Sequence, residues 1–321
     1  MNIDRPFLCV IIPTYNRAPI LKACLEALAR QTVPFESFEV IVGNDGSSDN
    51  TLEVLESFVK KSPYRLRYFS QKNRGPNAVR NRAIEMTDAP VVVFFNDDTI
   101  ADSNCLFYHI KLHKKHPEEH IAVLGRLTID PYLPYSPFSK IALDLSFDQW
   151  KDRRVLDWRA FYTCNLSVKR KFLLEYGLFD EEIWYNDDIE LGARLGRHGL
   201  KIIYCPESLG YHRHLLGEED YLKIAVKEGK GLAVWYRKKP FMVKELQALN
   251  FPPVMPLPTR LKYLMADMIF HGSFRKLWLD IARRLVRKHE PAALKIYLKC
   301  YQAIKRESIR RELRKGSPAG N

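Results

Sequence analysis

Val91–Phe95 is an unbroken apolar run, VVVFF, that leads directly into Asn96, Asp97 and Asp98. A short run of β-branched and aromatic residues suits a strand buried on both faces. A chain with this pattern must carry two adjacent carboxylates to the rim of a covered sheet. The pattern recurs: Phe7–Ile12 runs into Pro13, Thr14, Tyr15, Asn16 and Arg17, and Phe38–Val42 runs into a polar loop from Gly43 to Asp49. Apolar residues at helical spacing follow each time, over Ala18–Ala29 and Asn50–Val59, and Arg65–Phe69 and Pro76–Met86 supply a further strand and helix. Strand, polar loop and helix in repetition predict parallel βαβ units in a sheet covered by helices. The polar loops then converge on one sheet edge, where α/β folds bind ligands. Crowded carboxylates there require a cation or hydrogen-bond donors. A divalent metal holding a phosphorylated substrate is the expectation, and an Asp-rich turn is the alternative.

The chain has 321 residues, 46% of them hydrophobic and 12% aromatic, enough for one large or two ordinary packed domains. No leader pattern opens it and no apolar run approaches the roughly 18 residues of a membrane span, so neither secretion nor a transmembrane anchor is expected. The six cysteines form no C-x-x-C pair, and they read as buried, reduced thiols of a cytosolic protein rather than as zinc ligands. From Phe241 onward there are 17 Lys or Arg against 6 Asp or Glu, so +11 of the net +13 resides there. Any anionic partner is met mainly by that quarter.

Farther along, Phe161–Val168 reads as a strand, Lys169–Tyr176 and Asp188–His198 as helices, and Lys201–Tyr204 as a strand. Pro252, Pro253, Pro256 and Pro258 exclude a regular helix over Asn250–Arg260. A boundary is placed near Lys239–Arg260, dividing the chain into 1–240 and a helical region, 241–321. Within the latter, Phe274, Leu277, Trp278, Ile281 and Leu285 form one apolar stripe, and Leu294, Tyr297, Tyr301 and Ile304 another. Such basic amphipathic helices suit an anionic membrane surface, or they pack against the rest of the protein with solvated basic faces. No nucleic-acid-binding motif accompanies the charge.

Four segments in order, VIIPTYNR, VGNDGSSDNT, FFNDDT and WYNDDIELGARLGRHG with YHRH after it, resemble family 2 glycosyltransferases over roughly residues 7–215. That resemblance implies a GT-A, Rossmann-like, mostly parallel sheet flanked by helices, here with a basic helical C-terminal extension. It implies inverting transfer of a sugar from a nucleotide-diphosphate sugar, a UDP-sugar or a dTDP-sugar, to a hydroxyl of a glycan or lipid-linked saccharide. The setting it implies is the cytoplasmic face of a membrane, in cell-envelope polysaccharide synthesis.

Carried over residue by residue, the resemblance puts Asp45 on the imide N–H of the base, with Pro13, Thr14, Tyr15 and Asn16 lining the base and ribose pocket. An Asx-turn is the other reading of Asp45. Gly75 and Arg80, in a segment like the family's NxG…RN, face the diphosphate, unless Arg80 is merely a solvated helix residue. Asn96, Asp97 and Asp98 match the D-x-D signature with Asn in its first position. Asp98 is then the ligand of Mn²⁺ or Mg²⁺, Asn96 and Asp97 contact the donor, and His212 completes the metal site, with His214 as a substitute. Asp187 and Asp188 match the family's acidic pair, Asp188 as general base, although acidic residues at a helix start also favour the macrodipole. Asn165 and Trp184 are expected to floor the sugar and acceptor pocket. A sugar nucleotidyltransferase is a competing reading but normally carries a Gly-rich N-terminal loop where this chain has PTYNR. A non-catalytic basic scaffold would leave Asp45, Asp98, Asp188 and His212 without a role.

Overall fold

The computed structural model describes residues 5–315; the ends of the two expected ranges, residues 1–4 and 316–321, lie outside it. The chain divides into two compact units. The first comprises residues up to Pro134, Leu143–Glu181 and Asp187–His214, and the second Tyr135–Ala142, Glu182–Asn186 and the chain from Leu215. This division falls before the proline-rich segment at which the sequence places a boundary, because helix Glu218–Lys238 packs with the later helices of the second unit.

The first unit is built on a nine-stranded sheet: β1 (Leu8–Thr14), β2 (Phe38–Asn44), β3 (Arg65–Ser70), β4 (Val91–Phe95), β5 (Thr99–Ala101), β6 (Ile121–Ile129), β7 (Val155–Leu156), β8 (Asn165–Lys169) and β9 (Lys201–His212). Its order is β3-β2-β1-β4-β8-β6-β9-β5, with β7 against β9. The stretch β3-β2-β1-β4 is parallel, as the repeated strand, loop and helix require. Mixed pairing enters through β8, which runs antiparallel to both β4 and β6. The helices α1 (Ala18–Leu28), α2 (Thr51–Lys61), α3 (Pro76–Met86) and α4 (Cys105–Lys115) alternate with the strands. Leu8, Val10 and Ile12 pack with Val40, Val42, Val91 and Val93 and with the apolar side of α1, Leu21, Cys24, Leu25 and Leu28. Period 2 on the strands thus meets period 3.6 on the helix.

β9 runs well beyond the Lys201–Tyr204 read from the sequence. Pro206 removes a ladder donor, which argues against a continuing strand. The structure absorbs it by shifting register: Gly125 pairs with Cys205 but Arg126 with Leu209. Beyond that irregularity the strand resumes and brings His212 opposite Thr99 of β5. The bulge therefore delivers the histidine to the carboxylate edge.

The second unit is helical, with its own core of Phe138, Leu216, Tyr221, Ala225, Leu279, Ala282, Tyr297 and Tyr301 among others. At Gly229 a Cβ would lie 2.5 Å from the Lys305 carbonyl, so only glycine lets helices Glu218–Lys238 and Glu290–Lys315 cross this closely. Leu294, Tyr297, Tyr301 and Ile304 are buried in this core. The expected stripe on helix Gly272–Leu285 is rotated: Leu279 and Ala282 are buried, whereas Phe274 and Leu277 are 63% and 55% exposed. No helix among the described residues is long and apolar enough to cross a membrane.

Candidate active site

The loops after β1, β2 and β4 converge as the topology demands, and side chains lock them together. Asn16 adopts a left-handed backbone (φ 53°), a conformation Asn tolerates better than most residues. Its side-chain oxygen accepts from the Ser48 N–H at 2.7 Å, and its own N–H donates to the Ser47 hydroxyl at 2.9 Å. Asp49 accepts from the first N–H of α1, at Ala18, and from Thr51 at the start of α2. One carboxylate from the second loop therefore caps two helices. Asn16 is thus held against the second loop rather than aimed at a base, and Thr14, 3% exposed, turns its hydroxyl inward to Asp97 at 2.8 Å. Of the expected pocket lining, Pro13 is half-buried and Tyr15 is 49% exposed.

Asp45 is buried and organises the loop after β3. It accepts from the Gln71 amide (2.8 Å) and from the N–H groups of Arg74 (3.0 Å) and Gly75 (2.8 Å). A carboxylate has about four acceptor positions, so about one remains. Gly75, with φ 89°, makes the turn into α3 that lets its N–H face Asp45.

Asp97 and Asp98 are buried at the end of β4 and share one cation, Arg17. Its guanidinium is 2.7 Å from Asp97 Oδ1 and 2.9 Å from Asp98 Oδ2. Burial pushes Asp97 up to about 6, against the opposing pull of Arg17 and the added push of Asp98. Arg17 lies in the quoted VIIPTYNR segment, but its role was not legible there; its partners lie some 80 residues away. Asn96 is half-buried, and its carbonyl accepts from the Thr99 N–H in the turn between β4 and β5.

His212 Nε2 lies 3.5 Å from Asp98 Oδ2, while Nδ1 is 2.9 Å from the His214 carbonyl. A carbonyl only accepts, so Nδ1 carries the proton and the Nε2 lone pair faces Asp98. Burial lowers the His212 pKa more than Asp98 raises it, which favours the neutral, ligating ring. His214 is exposed; its carbonyl accepts from His212, and its ring stands edge-on to the His212 ring with centroids 6.0 Å apart.

Asp98 Oδ1 is buried without a hydrogen-bond partner in the protein. An orphaned carboxylate oxygen beside an imidazole lone pair fits a divalent cation, Mn²⁺ or Mg²⁺. Among the described residues no group of three His, Cys, Asp or Glu side chains could hold such an ion by itself, so further ligands would have to come from substrate or water.

Asp187 and Asp188 open helix Asp187–Gly196. Arg80, expected on the diphosphate, is instead 6% exposed and pairs with Asp187 at 3.0 Å, also donating to Asn77. It comes from α3 in the same sheet-edge cluster, packed over Phe179. Asp188 accepts from the Ile189 N–H at 2.8 Å and the Thr163 N–H at 3.4 Å. Burial and the neighbouring Asp187 push Asp188 up to about 7, against the pull of Arg80. A half-neutralised carboxyl at pH 7 is the poise that proton transfer requires.

Asn165 does not floor a pocket. It is 0% exposed, and its amide N donates to the carbonyls of Arg126 (3.1 Å) and Ser208 (2.8 Å) while its oxygen faces His109 Nε2 at 2.9 Å. As the first residue of β8 it points into the interior, where it satisfies backbone groups at the β9 bulge. Trp184 is 60% exposed and lies in the Glu182–Asn186 segment of the second unit.

The sequence model of the family described as Glycosyl transferase family 2 matches residues 9–175, more than half of the chain. The chain belongs to glycosyl transferase family 2. The matched span carries the carboxylate edge from β1 to β8, and the stretch with Asp188 and His212 follows it. Family relatives include validoxylamine A glucosyltransferase of Streptomyces hygroscopicus subsp. jinggangensis, 31% identical over 64% of this chain and 55% of that one. The uncharacterized glycosyltransferase YfnE of Bacillus subtilis is 27% identical over 96% and 86%. The Campylobacter jejuni GalNAc(5)-diNAcBac-PP-undecaprenol beta-1,3-glucosyltransferase is 31% identical over 57% of each chain. This chain spans about half the length of the validoxylamine A glucosyltransferases it matches. Among solved structures, the mannosyltransferase PcManGT from Pyrobaculum calidifontis, in complex with GDP-Man and Mn²⁺, shares the fold with a TM-score of 0.66 at 19% identity, over 98% of this chain and 88% of that one. Staphylococcus aureus TarS 1-349 with UDP aligns with a TM-score of 0.52 at 17% identity, over 98% and 93%.

Proposed function

We propose that this family 2 protein is an inverting, metal-assisted glycosyltransferase that moves a sugar from a UDP-sugar, or a dTDP-sugar, to a hydroxyl of a glycan or lipid-linked saccharide. The observation that carries the reading is the pairing of two chemistries on one sheet edge. Asp98 offers an orphaned oxygen beside the His212 lone pair, and Asp188 is a carboxyl with its pKa near 7. Asp98 and His212 would hold Mn²⁺ or Mg²⁺. When bound, the ion supplies positive charge against the leaving diphosphate.

The chain's own residues do the rest. Arg17 neutralises Asp97 and Asp98 and keeps both carboxylates at the loop edge. Arg80 fixes Asp187, so that Asp188 stands at the start of its helix with one acidic neighbour already compensated. Asp188 takes the proton of the acceptor hydroxyl as the new bond forms on the face opposite the departing nucleotide. Asp45, with about one acceptor position left, takes the imide N–H of uracil or thymine, a contact that bases lacking that donor cannot make. Exposed Tyr15 offers an aromatic face to the base, and the undecaprenol-linked saccharide in the name of the Campylobacter relative supports a lipid-linked acceptor.

Donor-panel turnover, scored by release of free nucleoside diphosphate with Mn²⁺ and with chelator, tests the reading. Uridine diphosphate release that needs metal and acceptor is the expected result. Release of pyrophosphate from a nucleoside triphosphate offered with a sugar phosphate would instead identify a nucleotidyltransferase, and no release from any donor would leave a scaffold.

A further inference from the structure

Helix Leu257–Ile269 is amphipathic in the inverted sense for a helix facing water. Its one buried residue is its one acid, Asp267. That carboxylate accepts from Arg306 at 2.9 and 2.6 Å and from Arg310 at 2.8 Å. On the outward side, Leu257, Leu261, Leu264, Met265, Met268 and Ile269 are between 41% and 68% exposed. Their spacing, i, i+4, i+7, i+8, i+11 and i+12, draws one stripe along the helix. The next helix adds exposed Phe274 and Leu277.

Scattered exposed leucines are ordinary, but a continuous stripe of this length marks a surface that something covers. Its charge setting selects the occupant. Arg260, Lys262 and Lys276 flank the stripe and are exposed, whereas Asp267, its acid, is already neutralised from within. Beside it runs a groove of about 520 Å³ against helix Glu290–Lys315, with Tyr263, Ile269, Phe270 and Leu298 on its walls and Lys262 and Lys299 among its lining. An apolar stripe edged by cations without free carboxylates is complementary to an anionic lipid surface and repels a second copy of itself.

We propose that this face docks on an anionic lipid bilayer, the exposed Leu and Met side chains entering the headgroup and acyl boundary and Lys262 and Lys299 taking a lipid phosphate in the groove. The inference rests on the transferase reading, for which it supplies access to a lipid-linked acceptor. It places the membrane contact on helix Leu257–Ile269 rather than on helix Glu290–Lys315, whose apolar stripe is core.

The test is cosedimentation of the full chain with phosphatidylcholine vesicles, with and without phosphatidylglycerol, across a salt series. Wild type should sediment with the phosphatidylglycerol vesicles at low salt and be released as salt rises. Met265→Gln with Met268→Gln, both at exposed positions, should lower partitioning about tenfold or more. Lys262→Glu with Lys299→Glu should lower it at least about tenfold on anionic vesicles and leave neutral ones unaffected. Wild type remaining in the supernatant with phosphatidylglycerol vesicles at low salt would overturn the proposal. So would a dimer, seen by light scattering, that the Met265→Gln, Met268→Gln protein dissolves, because the stripe would then join two copies. Nucleoside diphosphate release measured without vesicles keeps the two readings apart. Docking without release sinks the transferase reading alone, and release without docking sinks this one alone.

Discussion

Arg80 and Asp187 form an ion pair with an N–O separation of 3.0 Å, and the next residue in the chain is Asp188. The pair ties the N-terminus of helix Asp187–Gly196 to α3, whose own start is set by Gly75 and Asp45. A residue expected on the diphosphate thereby becomes one that positions the candidate base.

Asp188→Asn keeps size and polarity but cannot accept a proton. Turnover should fall about 10²–10⁴-fold with donor affinity nearly unchanged. Wild-type-like turnover in single-turnover assays would remove Asp188 from the mechanism.

The pH dependence of the wild type should follow the ionised form of Asp188. With its pKa pushed up to about 7, kcat/KM should drop tenfold per pH unit well below 7 and level off above it. Arg80 pulls that pKa down, so Arg80→Met should shift the acid limb to higher pH as well as destabilise the fold. An unmoved limb would confine Arg80 to a purely structural part.

The same shift has a consequence for stability. Because the folded pKa of Asp188 lies above its unfolded value, its contribution is fully favourable below about pH 4 and is lost as pH rises toward 7. Asp188→Asn should therefore melt higher than wild type at pH 8, by a few degrees at roughly 2–4 °C per kcal/mol. The gap should shrink toward pH 4; a constant offset in calorimetric scans would contradict the assignment.

Metal removal should release nucleotide. Asp98→Asn and His212→Ala are each expected to weaken Mn²⁺-dependent nucleotide binding by about tenfold or more, read by titration calorimetry. Equal affinities with Mn²⁺ and with excess chelator would exclude the site.

Asp49→Ala removes the cap shared by α1 and α2 and should cost about 1–2 kcal/mol in urea unfolding. Burial raises the Asp49 pKa, but hydrogen bonds from Thr51 and Ala18 outweigh it and leave the carboxyl below its ordinary value. Its contribution is thus present above about pH 4 and fades below, so mutant and wild type should converge in acid.

The amino-acid sequence by itself determined the parallel core and the composition of its edge. Alternating apolar runs and helical spacing are local signals, and they placed β1 through β4 and α1 through α3 nearly residue for residue. They also put Asp45, Asp97 and Asp98 just past the ends of their strands and Asp188 at the start of its helix. What the side chains at that edge face was decided only by tertiary structure, because each partner is distant in the chain. Thr14 and Arg17 reach Asp97 across 83 and 80 residues, Arg80 reaches Asp187 across 107, and His212 arrives beside Asp98 through a bulge that Pro206 had argued against. Asn165 was misread for the same reason. An amide at the first position of a strand has no local signal for its direction, and only the packing of β8 between β4 and β6 turned it inward. Periodicity likewise found the last two helices, Gly272–Leu285 and Glu290–Lys315, but not Leu257–Ile269, whose first residues fall in the proline-rich stretch read as non-helical, and which face of each helix is core depended on the helices packed against it. Ion pairs to Arg306 and Arg310 hold the acid of helix Leu257–Ile269 inward, and its leucines face out.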